Sequence, residues 1–438
     1  MFLFQSRSLS PTPHDQFSDV LTKASIGQVF LDGLLVRFGI LSQLGMNKTQ
    51  TGFLLSLMPY FGLVALFVAP FVTRYGLKRS VLTFWGLRHL SAFGLLLTPW
   101  ISSTFGFQAM FAYVTGLVVW FALCRAIGET GHMPWRQEYI PNSIRGKFSA
   151  KNSVISTLVS FAAVLASSFV VARIVGLSGY LVLFVIAGFI GLLGVWFYSH
   201  IPGGAKVEKS ASQPSIWAGM REALRDRNFL LFMLGTSFVI LALTPLNSFV
   251  PLFMEEEVGI SASLVILLQI GALTGTLIFS YVWGWSADRY GSKPALIFSL
   301  GWRVILPIAF LLTPRFTPLS LPYAMTVSML QGLADVGWMI CSSRLLYVGV
   351  VPPAKKSEYM ALHFAWIGVI GGSSQLLAGR LIDASSGLSG LMGPITIDAY
   401  TPLFLLSFFS AVISIFVFWW VRADAQYGVG DFARMFLR

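Results

Sequence analysis

Charge is what this sequence has least of. Of its 438 residues only 11% are Asp, Glu, Lys or Arg, while 55% are hydrophobic. Soluble domains carry about 25% charged residues, so a chain this poor in charge cannot dress a water-facing surface. Cysteine is nearly absent: Cys124 and Cys341 each stand inside an apolar stretch. That excludes a disulfide framework and leaves both as small packing residues. A His-Glu-x-x-His run, a phosphate-cradling Gly-Lys-Ser/Thr loop and a Cys/His cluster are all missing, so no enzyme, metal or cofactor is expected. The net charge of +12 does not point to nucleic acid, because the basic residues fall in short loops between apolar runs. The N-terminus lacks the apolar run of a cleavable signal peptide, so the first apolar segment is expected to target the chain and stay in place.

What the chain has is long apolar runs, with a mean hydropathy of +0.74. A membrane-crossing helix needs about 20 mostly apolar residues and satisfies its backbone internally. Such runs predict crossings at 20–43, 51–72, 80–100, 107–134, 148–172, 178–199, 228–253, 262–284, 295–314, 321–349, 358–379 and 400–421. The expected fold class is an all-α polytopic membrane protein of twelve transmembrane helices, with the lipid bilayer as its first partner. The first crossing is the least apolar, carrying Lys23, Asp32 and Arg37, and rests on the repeat described below.

Basic residues orient the chain. With the N-terminus cytoplasmic, the loops and tails on that side hold 19 Lys plus Arg and the opposite side holds four. This positive-inside bias predicts both termini in the cytoplasm, because one miscounted crossing would destroy the asymmetry. The compact loops point to a bacterial inner (plasma) membrane. The expected organisation is a tail (1–19), a six-helix bundle (20–200), a polar linker (201–227) with a short amphipathic segment from Ser215 to Arg227, a second six-helix bundle (228–422) and a tail (423–438).

The two bundles repeat each other. Arg74–Pro99 aligns with Arg289–Pro314 at an offset of 215, with ten identities in 26 ungapped positions. Among them are Arg74/Arg289, Gly76/Gly291, Lys78/Lys293, Arg88/Arg303 and Pro99/Pro314. A second match, at an offset of 211, pairs Pro141 with Pro352 and Arg145 with Lys356. Six crossings per unit give both units the same orientation, the parallel repeat of a carrier built from two halves with a site between them near the midplane.

On these residues the chain resembles the major facilitator superfamily. The family's loop motif is Gly-x-x-x-Asp-Arg-x-Gly-[Arg/Lys]-[Arg/Lys]. The second copy here has Gly284, Asp288, Arg289, Gly291 and Lys293; the first keeps Arg74, Gly76 and Lys78 but has Ala69 and Thr73 where the family has Gly and Asp. The Pro141–Gly146 turn is similar to the family's Pro-x-x-x-Arg-Gly. The resemblance implies two pseudo-symmetric six-helix bundles and a gating role for the motif, with Asp288 and Arg289 making the stronger gate contact. Family drug–proton antiporters carry a Gly-Pro-rich fifth crossing, which the fifth crossing here lacks. The implied function is secondary active transport of a small organic solute by alternating access, with protons as the coupling ion. A transporter-like sensor or assembly protein, or a membrane-embedded enzyme, are the alternatives.

Ionisable residues inside crossings are costly and mark functional positions by default. Three acids qualify: Asp32, Glu129 and Asp335. Gln28 lies one turn before Asp32 on the same face; the alternative for Asp32 is a structural ion pair. Arg125 and Glu129 are four apart on one helix face and are expected to neutralise each other. Gln331 and Asp335 share the same spacing, and in repeat register Asp335 falls opposite Cys124. These six residues are the candidate substrate and proton pathway. Arg88 and Arg303 read as structural, reaching back to the cytoplasmic face or to loop acids. His132 and His363 read as interfacial. Gly271-x-x-x-Gly275 and Gly368-x-x-Gly371-Gly372 predict close helix packing.

Overall fold

The computed structural model describes residues 41, 43–139, 145–205, 221–352, 356–392 and 395–422. Nearly all of the predicted first crossing, both tails and most of the linker lie outside the described residues, and with them Gln28 and Asp32. The helices are α1 (Lys48–Phe61), α2 (Val64–Tyr75), α3 (Leu77–Gly94), α4 (Thr98–Tyr139), α5 (Arg145–Arg173), α6 (Leu177–Ser199), α7 (Arg227–Glu256), α8 (Ala262–Tyr290), α9 (Ser292–Leu311), α10 (Ser320–Arg344), α11 (Lys356–Ala384) and α12 (Thr401–Trp420). Among the described residues nine helical runs and one bent pair are long and apolar enough to cross a membrane. One run, Leu77–Arg136, spans 60 residues, about three times what one crossing needs. It breaks at Gly106 (φ 79°, ψ 177°) and makes two crossings. Eleven crossings are thus described, matching the predicted second to twelfth.

The predicted second crossing is not one straight helix. Pro59 has no amide to donate, and the chain beyond it tightens into i→i+3 bonds from Gly62 to Pro59 and from Leu63 to Tyr60. The axis bends by 47° between α1 and α2. The tenth crossing continues past α10 as a π-helix, Leu345–Val350. A two-stranded hairpin, β1 (Gly390–Met392) and β2 (Ile395–Ile397), fills the segment before α12; helical periodicity gave no sign of it.

The internal repeat is visible in three dimensions. Gly76 and Gly291 both adopt positive φ, 109° and 95°, where a side chain would be strained. The lysine two residues on then caps a distant helix end. Lys78 Nζ donates to the Ile201 carbonyl at 2.7 Å, just past α6. Lys293 Nζ donates to Trp419 O at 2.7 Å and Val421 O at 2.8 Å, at the end of α12. Carbonyls left unpaired at a helix C-terminus favour a cation there. Tyr113 and Tyr323 repeat the pattern on a smaller scale, donating to Gly94 O (2.7 Å) and Ala309 O (3.1 Å).

Small residues bring helices together where predicted. A Cβ on Gly275 of α8 would stand 2.0 Å from Met329 O of α10, and one on Gly332 of α10 would stand 1.9 Å from Ala272 O of α8. Gly368 and Gly372 of α11 pack against Pro59 and Tyr60 of α1. Trp100, Trp196, Trp419 and Trp420 stand near the ends of crossings, where tryptophan anchors to the lipid–water interface, and all are more than half exposed.

Candidate functional site

The face of α4 that carries Arg125 can be read from its period. At 100° per residue, Val114, Phe121, Arg125, Glu129 and His132 share one stripe. Ala112, Gly116, Trp120 and Pro134 lie on the opposite side and are exposed. On the first stripe Val114, Phe121 and His132 are buried, yet Arg125 is exposed. Its guanidinium therefore opens onto space on the protein side of the helix. The expected Arg125–Glu129 pairing does not form: among the described residues Arg125 has no hydrogen-bond or ion-pair partner. Glu129 turns toward His132, 3.9 Å from its Nδ1. His132 is buried rather than interfacial, its ring 4.8 Å from Trp85 and 5.7 Å from Tyr198. His363 is buried too, against Phe232.

Asp335 of α10 does find a partner, and it is one of the repeated arginines. Arg303 NH2 of α9 lies 2.6 Å from Asp335 Oδ1. The arginine side chain is 2% exposed and the carboxylate 32%. Arg303 thus does not reach back to the membrane face or to a loop acid. Arg88, its counterpart on α3, is fully buried as well, with its guanidinium over the rings of Trp85 and Phe121. At the position equivalent to Asp335, the first half carries buried Cys124. The repeat therefore keeps both arginines and only one acid. Gln331, one turn before Asp335, donates to the Asn247 side chain on α7. Further polar pairs cross between helices at Tyr60–Ser373 (2.8 Å) and Trp366–Ser237 (2.7 Å).

The loop motif behaves differently in its two parts. Gly291 and Lys293 set the turn and cap described above, as do Gly76 and Lys78. Asp288 does not pair with Arg289; its Oδ1 lies 2.8 Å from Arg344 NH1 at the end of α10, within the same half. Arg289 lies over the rings of Trp285 and Tyr290. Arg74 is exposed. A Cβ on Gly284 would meet nothing within 4 Å, so this glycine is not needed for a close approach.

Among the described residues, most of the bonds that join the two halves gather at the end of the molecule away from Arg74. Asp383 of α11 accepts from the backbone amides of Lys48 (3.2 Å) and Thr49 (2.7 Å), the first two residues of α1. The third amide, Gln50, is taken by the N-cap Asn47 at 2.7 Å. Lys48 Nζ pairs with Glu256 at the end of α7, and Tyr400 OH donates to the same carboxylate at 2.6 Å. Below them, a Cβ on Gly52 would stand 2.5 Å from Gln375 O, and one on Gly379 would stand 2.2 Å from Lys48 O. Ser168 of α5 donates to Ser263 O of α8 at 2.9 Å. Arg315 braces the second-half side of this face, pairing with Glu257 (3.2 Å) and with Asp398 beside the hairpin. Burial and the neighbouring Asp398 push the Glu257 carboxyl up despite Arg315. Sequence reasoning missed this clasp because its acids sit at helix ends and in loops, where a charge is unremarked; only the α11 glycines signalled that surface.

The sequence model of the Major Facilitator Superfamily matches residues 232–430. The ectoine/proline transporter ProP of Corynebacterium glutamicum is 21% identical over 431 residues, covering 92% of this chain and 80% of that protein. The nucleoside transporter NupG superposes with a TM-score of 0.69 at 14% identity, over 92% of this chain and 99% of NupG. A bacterial homologue of the iron transporter ferroportin was solved in two states. The inward-facing one superposes at 0.66 (13% identity, 92% of this chain and 98% of that one) and the outward-facing one at 0.57 (11%, 93% and 98%).

Proposed function

We propose that this chain, a membrane transporter that belongs to the major facilitator superfamily, moves a small organic solute by alternating access with protons as the coupling ion. The observation that carries the reading is the clasp that the described residues make at the Lys48 face. Two halves that repeat each other are held together at the Lys48 face by charge and hydrogen bonds, which water can replace when the halves rock apart. The bias of basic residues supports a cytoplasmic Arg74 face, so we read the clasped Lys48 face as the outer one and the described state as inward-facing. The better superposition on the inward-facing ferroportin homologue supports that assignment. Both termini are then cytoplasmic, and a bacterial inner membrane fits the bacterial origin of the curated relative.

We assign proton coupling to Asp335. It is a carboxylate in the interior of the membrane, partly exposed and held by a fully buried arginine, so protonation would release Arg303 and change the local charge by one. Asp32 and Glu129 stay candidates for the same pathway, and the exposed Asn247–Gln331 amides for solute contact. The likeness to an ectoine/proline transporter supports an osmolyte-sized solute. Uptake into reconstituted vesicles tests the reading, with labelled proline as the first probe. An inward proton gradient should drive accumulation. D335N should lose gradient-driven accumulation and keep exchange without a gradient. A D335N variant that still accumulates solute up to the wild-type level would rule out Asp335 as the coupling site.

A further inference from the structure

We infer that the transported solute carries a single carboxylate, and that Arg125 is the residue that holds it; this rests on the transport reading above and names its substrate class. Arg125 lies near the middle of the crossing that runs from Gly106 to Tyr139. An arginine at that depth is tolerated only where it faces protein or water, and the inward stripe it shares with Phe121 and Glu129 puts it on the protein side. It is exposed there and, among the described residues, has neither hydrogen bond nor ion pair. The other deep arginine of known pairing, Arg303, is already committed to Asp335. Among the described residues Arg125 is the deep guanidinium left to receive a ligand, and its planar fork matches a carboxylate with two parallel N–H···O bonds.

The surrounding charges narrow the class. Glu129 stands one turn along the same face, and repeat register puts Asp335 at the depth of Arg125. Among the described residues, two carboxylates around one available arginine disfavour a doubly charged phosphate and suit a monoanion whose remainder is neutral or cationic. The exposed amide pair Asn247–Gln331 offers both donors and acceptors for that remainder.

The test is thermal unfolding of the purified protein with solutes matched in pairs, each carboxylic acid beside its primary amide, proline and prolinamide among them. A nucleoside and a pentose are the neutral comparisons. Ligand that binds the folded state raises Tm by mass action. Only the acids should stabilise the wild type. R125Q should lose at least tenfold in affinity for them, R125K less, and both should keep the ligand-free Tm because the side chain is exposed. Equal stabilisation by acid and amide, undiminished acid binding by R125Q, binding of the neutral solutes alone, or no binding by any solute would each overturn the assignment. None of these touches the transport reading. That reading fails instead if solutes that bind the wild type are never moved across a vesicle membrane.

Discussion

Asp383 caps a helix that belongs to the other half of the molecule: its Oδ2 accepts from the Thr49 amide at 2.7 Å. Hydrogen bonds to a charged group contribute about 1.5–3 kcal/mol each, and the helix dipole of α1 adds to the attraction. D383A should therefore loosen the clasp at the Lys48 face without disturbing either bundle. Ser56 on α1 is 1% exposed, so S56C reports opening. In D383A its labelling by a water-soluble thiol reagent should rise by roughly tenfold or more, since about 1.4 kcal/mol is tenfold in an equilibrium. K48M should act in the same direction. Unchanged labelling in both variants would mean that packing alone holds the face shut.

The Arg303–Asp335 pair predicts a stability pattern as well as a coupling role. Removing one member of a buried ion pair leaves the other uncompensated, at a cost of about 3–5 kcal/mol. D335A should lower Tm sharply, because Arg303 stays buried. D335N keeps an acceptor for the guanidinium and should cost less. The double variant R303M/D335M should recover most of the loss, since a well-packed apolar pair can replace a buried salt bridge. A double variant less stable than either single one would contradict this.

Glycines separate into two kinds that the motif alone does not distinguish. G275A forces a methyl into the Met329 carbonyl and should destabilise by about 1–3 kcal/mol, the usual range for overpacking. G291A must hold an alanine at φ 95° and should also destabilise. G284A meets open space and should leave Tm unchanged. Equal losses in G284A and G291A would show that the motif glycines act together through something other than backbone geometry.

Glu257 gives a pH signature. Its pKa is raised in the folded protein, first by burial and then by Asp398. The folded state therefore binds a proton over a range in which the unfolded chain is still ionised. Its contribution to stability grows as pH falls through the folded pKa toward the ordinary carboxylate value, and is reduced at neutral pH. Between pH 7 and pH 5, wild-type Tm should rise relative to that of E257Q. A constant difference between the two across that range would remove Glu257 as a titrating member of the brace.

Much of the architecture was legible because membrane physics is coarse. Apolar length finds crossings, and the identities around Arg74 and Arg289 exposed the repeat. The glycine spacings marked α8 and α11 as helices of close packing, though not their partners α10 and α1. Legibility failed where partners lie far apart in sequence. Nothing local tells Arg303 to choose Asp335, 32 residues on, over a loop acid, or tells Glu129 to turn from Arg125 toward His132. Pro59 and Gly62 stood in plain view, yet hydropathy is blind to a bend that keeps the segment apolar. The clasp was least visible, because Lys48 and Asp383, 335 residues apart, look like ordinary loop charges until the halves are brought together.

The central claim is that the Lys48 face opens as the Arg74 face closes. Distances between paired spin labels, measured in lipid with and without a bound carboxylate solute, test it most directly. One pair, V175C/L388C, reports the Lys48 face, and the other, R79C/R225C, the Arg74 face; all four positions are exposed. The account predicts opposite changes: a longer distance appears in the first pair as the second shortens, and D383A raises that population without solute. Distances that stay fixed at both faces, or that lengthen together, would contradict alternating access in this protein.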